Sequence, residues 1–407
     1  MSQFALCPNF NLRDTVTINN CNKKPFTSSV APPSQSLQRL NALSTSVHFA
    51  TLSGSPVART SKSTPSPFSI PHSRGAPLAP RSAAPDSTMA SSSPPAGSPL
   101  NRNLLVVGPG VLGSVLARDW LVSVPGATAT GLTNTERSHD RLRALGIQPA
   151  TRVSLQQQEG QQQHEGGGGA GAGRRWSFVA FSAPPSGSQD YVADVRSALS
   201  LWDGTGCFLF TSSMSVCAVD DGGAVDDMGE EGRGCPLVTR GSAPGTDKLL
   251  GAEEAVLQAG GCVLRLVGLY HANRGAHTYF IRAGSVPRPG GYLVNLLHYE
   301  DAAGLGAAIL RGDGSGPFRG RVFVGTDGQP VTFEDMVEAC FSSGVFPRAP
   351  VTFTGAFPED PRVGRGKVVS NPATRAALGG WAPRYPSFAA FMAAGGKDWY
   401  GSCGLEF

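Results

Sequence analysis

Residues 104–113 read LLVVGPGVLG, and no other stretch constrains this chain as strongly. Four apolar residues suited to a buried parallel strand run straight into Gly108-Pro109-Gly110-Val111-Leu112-Gly113. A helical pattern follows at Val115, Leu116 and Trp120. In a chain with 52 glycines a GxGxxG alone says little; between a strand and a helix it has the form of a dinucleotide-binding loop. Gly108 permits the tight turn, Gly110 lets the backbone approach a pyrophosphate, and Gly113 lets the helix pack close to the strand. Val111 and Leu112 lie in the same first turn, where free N–H groups and the positive end of the helix dipole face the phosphates. The competing reading is a glycine-containing turn that binds nothing.

From residue 101 onward, strand-like and helix-like segments alternate. Ala127–Leu132, Trp176–Phe181, Cys207–Phe210 and Cys262–Leu266 read as strands, and Glu136–Leu145, Tyr191–Leu201 and Asp247–Gln258 as helices. Repeated units of this kind predict an α/β fold, a doubly wound parallel sheet with right-handed crossovers, over residues 101–266. Residues 154–174 are low-complexity Gln and Gly, expected to be a surface insertion, and 219–235 reads as a Gly- and Asp-rich loop. Across 267–407 the pieces shorten, with strands near 292–296, 321–324, 351–353 and 367–369 and helices near 301–310, 332–340 and 387–393. This pattern predicts a smaller mixed α/β substrate region interleaved with the sheet.

The charge is unevenly placed. Residues 1–100 hold eight of the 34 Lys and Arg but only two of the 30 Asp and Glu, so the remainder is two charges to the acidic side. That balance makes no electrostatic case for nucleic acid. The first 98 residues are rich in Ser, Pro, Ala and Thr, contain no Glu and lack the apolar core of a secretory signal. This composition fits a transit peptide, expected to address the plastid stroma; a generic disordered N-terminus is the alternative. No stretch approaches the roughly 20 apolar residues that span a bilayer. The eight cysteines form no CxxC pair, and neither a zinc site nor a disulfide framework is expected.

Cofactor choice is read at the end of the second strand, about 20 residues beyond the glycine loop. Here stand Thr133 and Asn134 in place of an Asp that would hold a ribose 2′-hydroxyl, and Arg137 follows closely enough to accept a 2′-phosphate. This favours NADP over NAD, unless Glu136 supplies the missing acid.

Several pieces, taken together and in order, resemble the extended and atypical branches of the short-chain dehydrogenase/reductase superfamily, the nucleotide-sugar epimerase-like proteins. They are GPGVLG at 108–113, FSAPP at 181–185, FTSSMSV at 210–216, LRLVGLY at 264–270, LVNLLHYED at 293–301 and TDGQPVTFEDM at 326–336. The resemblance covers roughly 103–395 and implies NAD(P) on a Rossmann fold with a C-terminal substrate region. It implies that Ser182, Ala183 and Pro184 lie along the cofactor. It also implies that Ser213 is the catalytic serine and Lys248 the lysine of the family's YxxxK motif. One departure matters: Pro244 stands where that motif has Tyr, so the usual proton donor is missing.

The remaining candidates for handling a proton are Ser213, Lys248, Tyr270 and His298, three of them with a structural alternative. Ser213 could cap the following turn, Lys248 could be a solvated lysine, and His298 a satisfied structural residue. Asn295 and Asp301 fit the substrate loop, although Asp301 reads better as a helix N-cap. Arg265 suits either an anion or an internal ion pair. Two functions follow from different classes. One is an NAD(P)-dependent reductase, epimerase or dehydratase acting on a small or nucleotide-linked substrate. The other is a non-catalytic NAD(P)-binding scaffold or redox sensor. A homodimer is possible in either case, since epimerase-like proteins often pair through two helices beside the sheet.

Overall fold

The computed structural model describes residues 102–155, 157, 175–228 and 235–403. The expected leader and most of the 154–174 insertion lie outside the described residues.

Leu104–Val107 is apolar at every position and buried at every position, as a central strand covered on both faces requires. It forms β1, followed by α1 (Val111–Ser123), β2 (Ala129–Thr133), α2 (His139–Ala144), β3 (Gln148–Thr151), β4 (Phe178–Phe181) and α3 (Tyr191–Leu199). Then come β5 (Phe208–Ser213), β6 (Asp221–Val225), α4 (Pro244–Gln258), β7 (Cys262–Leu266) and β8 (Gly268–Tyr270). The C-terminal part contains α5 (Ala276–Ala283), β9 (Ser285–Val286), β10 (Leu293–Val294), β11 (Leu296–His298), α6 (Tyr299–Arg311), β12 (Val322–Gly325), β13 (Val331–Thr332) and α7 (Phe333–Ser342). It ends with β14 (Thr352–Phe353), β15 (Gly366–Val369) and the short helices α8 (Pro372–Ala377), α9 (Phe388–Ala393) and α10 (Trp399–Ser402).

Seven strands form one parallel sheet in the order β12-β7-β5-β4-β1-β2-β3. The sheet does not close at Cys262–Leu266, as the sequence pattern suggested. Its last strand, β12, returns from the C-terminal stretch and pairs Val322 to Val263 through Gly325 to Leu266. Alternate residues of each strand feed two cores. Leu104 and Val106 join α1 and α6 on one face, and Leu105 and Val107 join α3 and α4 on the other.

A four-stranded sheet, β13-β10-β15-β6, lies outside this layer, and a third core gathers Tyr270, Phe280, Phe333, Phe388 and Phe391. Strand β6 falls in the stretch read as a loop. Its sequence, DGGAV, has no apolar run, and its pairing partner β15 is more than 140 residues away. Among the described residues no helix is long and apolar enough to cross a membrane.

Candidate functional site

The strand order reverses between β1 and β4, and open α/β sheets bind ligands outside the carboxyl ends of the strands at such a point. Gly108 ends β1 on one side of it, and Ser182-Ala183 ends β4 on the other. Ser182 N donates to Val107 O at 2.8 Å, and Gly108 N donates to Leu132 O at 3.1 Å, so three strand ends meet at the glycine turn.

The three fingerprint glycines each do something different. Gly108 has φ +77°, and a Cβ there would fall 2.5 Å from Ala183 Cα. At Gly113 a Cβ would lie 2.8 Å from Gly108 O and 2.9 Å from Val106 Cγ1, so its absence sets the distance between helix and strand. At Gly110 a Cβ would meet nothing within 4 Å. Its backbone therefore borders open space, and it caps α1 without a side-chain hydrogen bond. The first-turn N–H groups of Val111, Leu112 and Gly113 stand at that end of the helix, where an anion is stabilised. Ser182 Oγ is buried beside this turn with no hydrogen-bond partner among the described residues. Tyr191 Oη donates to Ala183 O at 2.7 Å and fixes the loop from the α3 side, while Pro184 is exposed. An open backbone cradle, an uncapped helix start and an unsatisfied hydroxyl fit an NAD(P) pyrophosphate and its flanking ribose.

At the β2 end the Thr133 hydroxyl is occupied, 2.9 Å from His139 Nε2 and donating to Ala150 O at 3.2 Å. Asn134 and Arg137 are exposed on the turn that follows. Reading the sequence missed Arg141. Its Nη2 lies 3.4 Å from Pro109 O, and burial lowers its pKa, so a second guanidinium sits against the glycine loop. Helical phase places it one turn after Arg137, a signal that was available but not used.

Ser213 ends β5 at the same sheet edge. Its Oγ accepts from Ser215 N at 3.1 Å and caps the single turn Met214–Val216. The capping alternative is therefore realised, yet it uses only an acceptor lone pair and leaves the O–H proton available to donate. Lys248 lies in α4, whose first turn holds Pro244, and its Nζ donates to Ser188 O at 3.1 Å. It ties α4 to the loop after β4. Among the described residues no hydrogen bond joins Ser213 and Lys248.

The other candidates resolve toward structure. Arg265 is buried in an ion pair with Glu253, 2.8 Å from Nη2 to Oε2, and Ser212 Oγ donates to the same carboxylate at 2.5 Å. His298 Nδ1 accepts from Glu300 N at 3.2 Å and thereby caps α6, which leaves Nε2–H to donate to Asp398 Oδ2 at 3.0 Å. Asp301 is not the N-cap. It lies inside the first turn, and its carboxylate accepts from Arg384 N and Tyr385 N. Asn295 gives both ends of its amide to β15, donating to Lys367 O and accepting from Val369 N. Tyr270 is wholly buried against His298, Phe388 and Phe391. Among the described residues no group of three His, Cys, Asp or Glu is placed to hold a metal ion.

Solved structures of NAD-dependent epimerases and dehydratases share this fold. One solved structure of this kind is UDP-glucuronic acid 4-epimerase from Bacillus cereus with UDP-glucuronic acid and NAD: TM-score 0.55, 14% identity, covering 74% of this chain and 99% of that one. Another is a provisionally assigned NAD-dependent epimerase/dehydratase of Methylobacillus flagellatus, with TM-score 0.53, 22% identity and coverage of 73% and 97%. A conserved protein of unknown function from Silicibacter pomeroyi gives TM-score 0.52, 20% identity and coverage of 74% and 99%. No protein-family model matches the sequence, and no curated protein does. At these identities the likeness is one of fold.

Proposed function

We propose that this chain binds NAD(P) at the Gly108–Gly113 loop and acts as an epimerase-, dehydratase- or reductase-type enzyme on a small or nucleotide-linked substrate. The observation that carries the reading is the division of labour among the glycines. Gly108 and Gly113 are closed by neighbouring atoms, while Gly110 opens onto empty space at an uncapped helix start. A bound nicotinamide would accept or supply hydride. The α1 N-terminus would hold the phosphates, and Ser182 Oγ would bond the adjoining ribose. Ser213 O–H would donate to a substrate oxygen. Lys248 keeps two N–H donors beyond the bond to Ser188 for the ribose side of the site. Arg137 and Arg141 together favour a 2′-phosphate, hence NADP.

The structure neighbours lend this reading their fold and, for the Bacillus cereus epimerase, a bound NAD. Calorimetric titration of the full chain with NADPH, NADH, NADP and NAD tests it. The expected result is micromolar binding, tighter for NADPH than for NADH. Binding of none of the four would overturn it.

A second reading rests on one observation: Pro244 opens α4 at the position of the missing Tyr. Under it the chain binds NAD(P) without turning over a substrate, as a scaffold or redox sensor. Binding without hydride exchange to any carbonyl or nucleotide sugar would favour it. In either form we place the protein in the plastid stroma from the composition of its leader, and a homodimer through α3 and α4 is the assembly we expect.

A further inference from the structure

Just beyond Ser213, two thiols meet in a setting that the cofactor site does not use. Cys217 pairs with Leu237 in an antiparallel bridge, with Ala218 N donating to Pro236 O at 2.7 Å and Val238 N to Val216 O at 2.9 Å. Residues two apart on a ladder share a face, so Cys235 comes to the side that carries Leu237 and Cys217. The two thiols hydrogen bond to each other, and both are free cysteines. Cations bracket them: Arg265 Nη1 lies 3.6 Å from Cys235 Sγ, and Lys367 Nζ donates to Cys217 O at 2.7 Å.

We propose that Cys217 and Cys235 form a thiol–disulfide exchange site whose reactant is a small-molecule disulfide. The inference is independent of the cofactor reading. The hydrogen bond from Cys235 draws the Cys217 thiol below the ordinary range, aided by Lys367 and Arg265, and the same bond together with burial pushes Cys235 up. One sulfur is thus set up as the nucleophile and the other as the resolving thiol. The Cys217 thiolate attacks one sulfur of the oxidant, forms a mixed disulfide and expels one thiolate. Cys235 loses its proton and attacks the Cys217 sulfur, expelling the second. The protein pair gives up two electrons and two protons, and the oxidant is reduced to two thiols.

A groove of about 930 Å³ lined by Leu237, Val238, Glu253 and Arg265 lies next to the pair, and the Arg265 guanidinium also reaches Cys235. Cys217 and Cys235 are 3% and 9% exposed, so this segment must open locally first, and exchange is slower than at an exposed cysteine. A second couple, Cys207 and Cys262, also makes a thiol–thiol hydrogen bond but lies fully buried in the main sheet, and serves as an internal control.

The test equilibrates the full-length protein in glutathione buffers from reducing to oxidising, alkylates free thiols and maps the peptides by mass spectrometry. The expected result is a linked Cys217–Cys235 peptide with one midpoint, while Cys207 and Cys262 stay reduced. Two glutathiones are released per disulfide, so a tenfold rise in glutathione moves the midpoint ratio of reduced to oxidised form tenfold lower. Oxidised dithiothreitol should form the same link at a midpoint independent of its total concentration. Cys235→Ser should leave glutathione on Cys217. The proposal is overturned if both thiols stay alkylatable at the most oxidising ratio. It is equally overturned if Cys217 accumulates as a glutathione adduct with Cys235 free, or if either pairs with another cysteine. Should the variant fail to fold, the wild-type titration decides alone.

Discussion

Gly108 and Ala183 approach so closely that a side chain on the first would occupy the backbone of the second, 2.5 Å from its Cα. Two conditions therefore hold position 108 to glycine, the close approach and φ of +77°. Gly110, two residues on, has φ −72° and open space where a Cβ would point. Gly108→Ala should destabilise the protein by about 1–3 kcal/mol from backbone strain alone, and by more from the collision. Gly110→Ala should leave the melting temperature within about 1 °C of wild type and weaken NADPH binding by about tenfold or more, since it puts a methyl group where the pyrophosphate would lie. Thermal melts paired with calorimetry separate the two effects; equal NADPH affinity in Gly110→Ala would remove the pyrophosphate from this loop.

Ser213→Ala tests the serine in both its roles. Loss of the cap should cost about 0.5–2 kcal/mol in urea denaturation. If Ser213 donates to the substrate oxygen, turnover with an identified substrate should also fall about 100-fold with NADPH affinity unchanged. Turnover equal to wild type would leave Ser213 as a cap alone.

The Arg265–Glu253 pair is almost completely buried, and its carboxylate also receives Ser212. Glu253→Ala would strand a guanidinium in the core and should cost about 3–5 kcal/mol. The double variant Glu253→Leu with Arg265→Met should recover most of that loss, because two apolar side chains need no partners. Chemical denaturation of the single and double variants checks both amounts.

Asp327 gives a pH signature. Burial is the main cause raising its pKa, with Asp301 adding to it, and Gln329 N and Arg375 oppose the rise to leave it at about 7. One carboxyl oxygen has no hydrogen-bond partner among the described residues. The folded state thus holds a proton that the unfolded state releases near pH 3.8. This contribution is complete below about pH 4 and is lost as pH rises through about 7, at up to about 1.4 kcal/mol per pH unit. Asp327→Asn should flatten stability between pH 5 and 7.5 relative to wild type, as followed by urea midpoints. An unchanged slope would show that Asp327 ionises normally.

The parts of the molecule that could be read from sequence are those whose cause is local. Apolar runs at 104–107, 178–181 and 262–266 are strands because burial on both faces demands them. The glycine spacing carries its own geometry. What could not be read depends on distant partners. Strand β6 exists because Asp220, just before it, accepts from Tyr292 Oη, Gly364 N and Gly366 N, which organise the return of β15 beside it. Asp301 has the sequence signature of an N-cap, but residues 384–385 claim its carboxylate, and a histidine takes the capping position. Among the residues singled out from sequence, the bonds from Lys248 to Ser188 and from Arg265 to Glu253 each join separate elements, and residue type alone does not reveal them.

Strand β12 bears on how the chain is made. The sheet that carries the glycine loop gains its outermost strand only when residues 322–325 arrive, and α6, which covers α1, only after residue 299. A ribosome that has released the first 266 residues has delivered every fingerprint glycine and most of the sheet, yet β7 is still an open edge of apolar sequence. The N-terminal part of the sheet is therefore not a module complete before the C-terminal stretch arrives. Fragments ending near residue 270 should aggregate through that edge rather than fold, as light scattering of such a fragment checks.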